Sequence, residues 1–167
     1  MRSVLVPLFC GLLAATACAP SDKPDTEALR REANRAVQAE DWGAAAAAFQ
    51  KLTEADPKDG NAWHMLGFAL HSAGKLDEAL PAHLKATEFP DVAQTAAYNA
   101  ACAYALKGDK DKALEWLEKA MGFGFARPEV VELDPDLASL RGDPRFQALL
   151  AKMKQQAGAE ADEGGQE

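Results

Sequence analysis

The sequence is poor in aromatic residues, in cysteine and in positive charge. Of its 167 residues, 7% are aromatic and only three are cysteine. So few thiols exclude a disulfide framework, and the fold must be held together by packing. Lys and Arg number 18 against 26 Asp and Glu, which gives a formal charge of −8. This charge argues against nucleic acid as a partner and against adhesion to anionic lipid through a basic patch.

Motifs of catalysis and cofactor binding are also missing. There is no P-loop, dinucleotide fingerprint, H-E-x-x-H, C-x-x-C or nucleophile elbow. His64 and His71 would lie on one helix face, two turns or about 10.5 Å apart, which is too far for one zinc ion. We therefore expect a non-enzymatic protein with no cofactor and no metal, in which Cys102 is a semi-buried thiol.

Apolar residues are abundant, at 48% of the chain. Because few of them are aromatic, alanine is the main apolar residue. Alanine has the highest helix propensity and allows helices to approach closely. The length allows one domain. The composition therefore favours a single all-α domain.

The first 17 residues have the features of an export signal. Arg2 precedes an apolar run over 4–15 that is too short for a good membrane span. Residues 15–18, Ala-Thr-Ala-Cys, resemble the bacterial lipobox, in which Cys18 becomes diacylated, and residues 18–25 would then form a polar tether. The same Ala-Thr-Ala also fits a signal-peptidase site that would release a soluble periplasmic protein, and an uncleaved anchor is a third alternative.

The residue after Cys18 bears on sorting. In lipoproteins of bacteria with two membranes, an Asp at this position favours retention in the inner membrane. Ala19 stands there instead, so the resemblance implies the periplasmic face of the outer membrane.

A period of 34 residues runs through the middle of the chain. Small residues recur at this step in two series, which are Ala33, Gly67 and Ala101, and Ala45, Ala79 and Ala113. Small side chains at these places allow two helices to touch, while Phe49, Trp63, Leu66 and Leu70 fill the space between layers. The pattern resembles the tetratricopeptide family over 26–127, in three repeats at 26–59, 60–93 and 94–127. The resemblance implies a right-handed superhelical solenoid of three helix-turn-helix units.

Residues 128–156 are expected to form capping helices, because the last repeat would otherwise expose its apolar face. Asp134-Pro135 and Asp143-Pro144 each combine an N-cap acid with a proline suited to the first helical turn. Leu137 and Leu140 predict a short helix, and Phe146, Leu149, Leu150 and Met153 form the apolar stripe of a longer one. Residues 157–167 have no apolar stripe, which predicts a disordered acidic tail.

The family resemblance implies that the first helix of each repeat lines a concave groove for a peptide. The expected lining residues are Arg30, Asn34, Gln38, Asn61, His64, Phe68, His71, Thr95, Tyr98, Asn99 and Cys102. Amides bind peptide backbone and aromatics supply apolar contact, which indicates a largely neutral groove. His83 replaces the usual aromatic residue of a packing position, where we expect a hydrogen-bonded, semi-buried imidazole.

Some members of this family grip a C-terminal carboxylate with a clamp of Lys, Asn and Arg residues. Arg30 and Asn34 match its first pair in type and spacing. Met65, Thr95 and Asn99 stand where the other members of the clamp would be. The clamp is incomplete, and its specificity is not expected here.

These observations predict a protein–protein interaction adaptor of the bacterial cell envelope. It would be a monomer, would bind a protein or peptide in its groove, and would reach the membrane through its lipid anchor only. Two alternatives stay open, a self-associating structural module and an accessory subunit of an envelope assembly or maturation enzyme.

Overall fold

The computed structural model describes residues 25–163, which form eight α-helices and one 3₁₀ helix. The helices are α1 (Thr26–Gln38), α2 (Trp42–Ala55), α3 (Gly60–Ser72), α4 (Leu76–Ala86), α5 (Pro90–Leu106), α6 (Lys110–Gly122), α7 (Pro128–Leu133), the 3₁₀ helix (Pro135–Leu140) and α8 (Pro144–Glu163). The pairs α1–α2, α3–α4 and α5–α6 pack in sequence, which confirms the all-α solenoid. The predicted signal 1–17 and the lipidation site Cys18 lie outside the described residues, as does nearly all of the tether.

The helix pairs are delimited by local signals that repeat with the period. Asp25, Asp41, Asp59 and Asp109 each precede a helix and accept a hydrogen bond from the amide three residues on, at 2.9–3.1 Å. Such caps satisfy an amide that the helix itself leaves free. None of the helices between residues 25 and 163 is long and apolar enough to cross a membrane.

The turn inside each helix pair has the same left-handed backbone. Gly74 and Gly108 have φ of 74° and 82°, and the equivalent position of the first pair is Glu40, with φ of 53°. In all three turns the next amide bonds to a carbonyl five residues earlier, at 2.9–3.0 Å. Glycine adopts this conformation freely, whereas glutamate does so at a cost.

The small residues of the 34-residue period are buried between the paired helices. Ala33, Ala101, Ala45, Ala79 and Ala113 are all 0% exposed. Phe49, Leu66 and Leu70 pack around the first two pairs. The predicted packing of the repeats is confirmed.

The third repeat begins earlier than predicted. α5 starts at Pro90, four residues before the boundary at 94. Phe89 is extended, as expected for a residue before proline, and Pro90 then opens the helix.

The cap departs from the repeat geometry after α7. Asp134 is extended, with φ −60° and ψ 121°, because Pro135 follows it. The chain therefore leaves the α7 direction and continues as the 3₁₀ helix against α5. Leu137 and Leu140 are 0% exposed and share a core with Phe146.

The end of the chain differs from the predicted disorder over 157–167. α8 continues through Glu163. Residues 155–163 are mostly Gln, Ala and Glu, which favour helix without an apolar stripe. Residues 164–167 lie outside the described part.

Candidate functional site

The predicted groove residues differ sharply in exposure. Tyr98 and Cys102 are 6% and 2% exposed, so they do not line an open groove. The exposed residues of the predicted set are Asn34, Gln38, Asn61 and Phe68, and the partly exposed ones are Arg30, His64, His71, Thr95 and Asn99.

The cap covers the end of the concave face at the third repeat. The Tyr98 hydroxyl donates a hydrogen bond to the Asp134 carboxylate, and the Cys102 thiol lies 3.7 Å from the same oxygen. The other Asp134 oxygen accepts from the Asp136 amide at 2.8 Å. The predicted N-cap role of Asp134 is therefore confirmed, whereas no sequence pattern indicates its contact with Tyr98 and Cys102.

A second acid of the cap reaches the second repeat. Asp136 Oδ2 lies 3.0 Å from Nε2 of His71, which is on α3. We call the two cap acids, with His71, Tyr98 and Cys102, the cap latch. Its hydrogen bonds join α3 and α5 to the 3₁₀ helix.

Burial sets the protonation of the latch donors. Burial is the main cause that raises the pKa of Tyr98, and the neighbouring Cys102 is the next. Burial is also the main cause that raises the pKa of the Cys102 thiol, and the Asp134 charge is the next. Both groups therefore stay protonated at neutral pH and donate to Asp134.

The latch also brings together atoms that could ligate a metal. Cys102 Sγ and carboxylate oxygens of Asp134 and Asp136 lie within 4.8 Å of one another. A metal would require the thiolate, whose formation burial opposes. Hydrogen bonding accounts for these side chains without an ion.

The open part of the groove is built on α1 and α3. Phe68 is 38% exposed and meets Trp42 edge to face, with ring centroids 5.6 Å apart. Edge-to-face pairs of this kind hold both rings in place. The exposed amides of Asn34, Gln38 and Asn61 belong to the same two helices.

The one cation of the predicted clamp is already paired. Arg30 Nη2 donates to Asp59 Oδ2 at 2.7 Å. Burial would raise the pKa of Asp59, but the hydrogen bonds from Arg30 and the Ala62 amide outweigh it and lower the pKa. Arg30 therefore ties α1 to the start of α3 and is not free to hold a carboxylate.

Between the open groove and the latch lies a cavity of about 200 Å³. Its lining residues are Phe68, His71, Ser72, Tyr98, Asn99, Cys102, Asp134 and Asp136. This lining includes two carboxylates and no lysine or arginine. The groove is therefore acidic at this end, whereas the sequence predicts a neutral one.

His83 is buried without the hydrogen bond that the sequence predicts. It is 0% exposed, and neither ring nitrogen has a partner within the described residues. Its ring lies 5.9 Å from that of His71 and fits over Gly67. Burial, with smaller effects of His71 and His64, lowers the pKa of His83 to about 3. It is a neutral packing residue.

Comparison with known proteins agrees with this architecture. A family model described as tetratricopeptide repeat matches residues 30–93, and a second matches residues 95–123, together more than half of the chain. The chain belongs to the tetratricopeptide-repeat family. The two matched segments cover the three helix pairs, except the first residues of α1 and Gln94 in α5.

Individual known proteins are similar to larger or smaller parts of this chain. A chloroplastic protein of Arabidopsis thaliana is 33% identical over 87 residues, which are 50% of this chain and 26% of that protein. The chain thus spans about a quarter of the length of this curated relative. Among solved structures, MamA has a TM-score of 0.68 at 19% identity, covering 84% of this chain and 83% of its own.

A second similar structure contains a bound peptide. It is the type III secretion chaperone SycD of Yersinia enterocolitica in complex with a peptide of the translocator YopD. Its TM-score is 0.58 at 22% identity, with 78% of this chain and 93% of that chain covered. At such identities the likeness establishes the fold alone.

Proposed function

We propose that the protein is a non-enzymatic adaptor that holds a peptide or protein partner in the open part of its concave groove. The observation that carries this proposal is the exposed Phe68, in edge-to-face contact with Trp42, together with the exposed amides of α1 and α3. An aromatic ring in fixed position offers apolar contact at low entropic cost, and amides bind peptide backbone. The peptide-bound SycD complex supports the proposal at the level of the fold.

The site for the partner is shorter than the sequence predicts. Tyr98 and Cys102 are buried under the cap, so the partner is held mainly by α1, α3 and the exposed parts of Thr95 and Asn99 on α5. Replacing Tyr98 by alanine is therefore unsuitable as a test, because it would damage the core. Phe68 is the informative residue.

The test uses a matched pair of exposed phenylalanines. Partners are captured from an envelope extract by the mature chain, identified by mass spectrometry, purified and titrated by calorimetry. Phe68→Ala should weaken binding by about tenfold or more, since burying a Phe side chain contributes about 1.5–3 kcal/mol. Phe123→Ala, which removes a ring that is 49% exposed at the end of α6, should leave the affinity unchanged. Equal affinities for both variants would contradict the groove proposal.

The location of this adaptor is also part of the proposal. The apolar run 4–15 and the lipobox-like residues 15–18 support a lipoprotein anchored through Cys18 on the periplasmic face of the outer membrane. Cys18→Ala should move the protein from the membrane fraction to the soluble periplasmic fraction. If the variant stays with the membrane, lipidation at Cys18 is ruled out.

Self-association is a second candidate, favoured by an exposed apolar face on α7. Leu133 is 77% exposed and Val130 is 40% exposed. Light scattering on the chain starting at Ser21 separates the two proposals. The adaptor predicts a monomer, whereas self-association through α7 predicts a dimer that Leu133→Asp dissociates.

A further inference from the structure

We infer that the acidic cavity at the end of the groove binds a lysine or arginine side chain of the partner peptide. This inference rests on the proposed function, since it assigns the chemistry of one residue of the peptide that the groove would hold. It makes the partner a basic peptide, not a neutral one.

The first support is the size and place of the cavity. Its volume of about 200 Å³ is below the roughly 300–1,000 Å³ of sites for drug-sized ligands. It therefore admits one long side chain. Phe68, which is exposed in the open groove, is also one of its walls, so a peptide lying along α3 passes its entrance.

The second support is the charge of the cavity. Asp134 and Asp136 line it, and the Asp136 side chain remains 33% exposed beside His71. Asp134 is already bonded to Tyr98, Cys102 and the Asp136 amide. Asp136 is therefore the carboxylate with room for a new donor.

Two arginines near the groove, Arg141 and Arg30, are engaged elsewhere, and the cavity lining includes no lysine or arginine. Arg141 donates to the main-chain carbonyls of Leu133 and Asp134, at 3.2 Å each, and is not part of the cavity lining. Arg30 is paired with Asp59, and the whole chain has a formal charge of −8. A cationic partner is favoured both on approach and in the bound state.

The third support is the match between the other walls and a long basic side chain. Phe68 offers an aromatic ring to an alkyl stem or to a cation above its face. Ser72 and Asn99 supply side-chain oxygens that accept from an ammonium or guanidinium group. The cavity thus combines an apolar wall with acceptors at the acidic end.

The test selects peptides from a random library displayed on phage, using the chain that starts at Ser21, without the predicted signal and lipidation site, in the presence of EDTA. The selected peptides should share lysine or arginine at one position. With a synthetic selected peptide, norleucine in place of that lysine should weaken binding to the wild-type chain by about tenfold, the effect of losing one desolvated charge contact. Binding to Asp136→Asn should change by less than about twofold on the same replacement.

Glu118→Gln is the control, because it removes the same charge from the exposed surface of α6. It should behave like the wild type, and thermal melting should show that both variants are folded. Selection of peptides without a basic consensus would overturn the inference and leave the groove function standing. Selection of no peptide would overturn both. A basic consensus that appears only in a parallel selection with zinc in place of EDTA would also overturn the inference, since the cavity would then hold a metal ion.

Discussion

A methyl group on Gly67 would lie 2.5 Å from Nδ1 of His83 and 2.8 Å from its Cε1. The missing side chain on α3 and the buried ring on α4 therefore depend on each other. The ring is 0% exposed, so it cannot move aside into solvent.

Gly67→Ala should consequently lower the free energy of unfolding by about 1–2 kcal/mol. Overpacking costs about 1–3 kcal/mol, and the higher helix propensity of alanine returns up to about 1 kcal/mol. Urea denaturation measures the change. Gly43→Ala in α2 is the control, because the nearest atom is 3.7 Å from its added methyl, and it should be neutral or stabilising. Similar effects for both substitutions would contradict the contact with His83.

Replacing His83 by phenylalanine should stabilise the protein and change its response to acid. The buried ring nitrogens have no partner within the described residues, and removing them should gain about 1 kcal/mol at neutral pH after the cost of the larger ring.

The pH response follows from the pKa of His83, which is about 3 in the folded chain against an ordinary 6.5. As the pH falls from 6.5 towards 3, the unfolded state takes up a proton that the folded state does not. The wild type therefore loses up to about 1.4 kcal/mol per pH unit through this group. Chemical denaturation at a series of pH values should show the advantage of His83→Phe growing through this range. An advantage independent of pH would mean that His83 is not a buried neutral ring.

The bond between Tyr98 and Asp134 should couple the cap to the third repeat. Asp134→Ala removes the acceptor of a buried hydroxyl and should cost about 2–3 kcal/mol. In a double-mutant cycle with Tyr98→Phe, the coupling energy should be about 1–3 kcal/mol. Additive effects would show that the two side chains do not interact. Hydrogen exchange in the 3₁₀ helix provides a second measurement, because it should accelerate in both single variants.

The cap core should be as essential as the repeats. Leu137 is 0% exposed among the residues that pack on α5 and α6. Leu137→Ala should therefore cost about 2–5 kcal/mol in the free energy of unfolding. Leu133→Ala, which truncates a leucine that is 77% exposed, should cost less than about 0.5 kcal/mol. Equal effects would mean that the cap detaches easily from the repeats.

Glu40→Gly should stabilise the first repeat. Glu40 has φ of 53° at the position that glycine occupies in the other two turns. Removing its side chain should relieve the left-handed strain and gain about 1 kcal/mol, less the entropy that glycine adds to the unfolded chain. Thermal melting measures the gain, with Glu54→Gly inside α2 as a control that should destabilise. A loss of stability at position 40 would contradict the assigned turn.

The repeats were predictable from the sequence because each packing position depends on residues that recur at one spacing. The position where the two helices of a pair touch requires a small residue, and Ala45, Ala79 and Ala113 occupy it in the three repeats. The 34-residue spacing of these residues therefore predicts the fold. The cap was predictable only in part. Its helix starts and apolar residues were visible, but the contacts of Asp134 and Asp136 join positions 32 to 65 residues apart that occur once. Contacts that occur only once cannot be predicted from a repeating pattern.

The candidate site likewise has features that the sequence predicts and features that it does not. The amides and Phe68 follow from their places in the repeat, and they are exposed as expected. Tyr98 and Cys102 are buried because the chain packs back against α5 after Pro135. The proline is compatible with this path but does not determine it. His83 occupies its predicted packing position, yet its lack of a hydrogen bond depends on which polar atoms surround it.

The cap latch limits how the array can grow. Because His71 belongs to the second repeat while Tyr98 and Cys102 belong to the third, the latch fits only when these two repeats are neighbours. A duplicated unit inserted between them would move His71 away from Asp136, whereas one added ahead of the second repeat would leave the latch intact. Lineages that lengthen this protein should therefore gain units on the amino-terminal side, and engineered extensions should be made there.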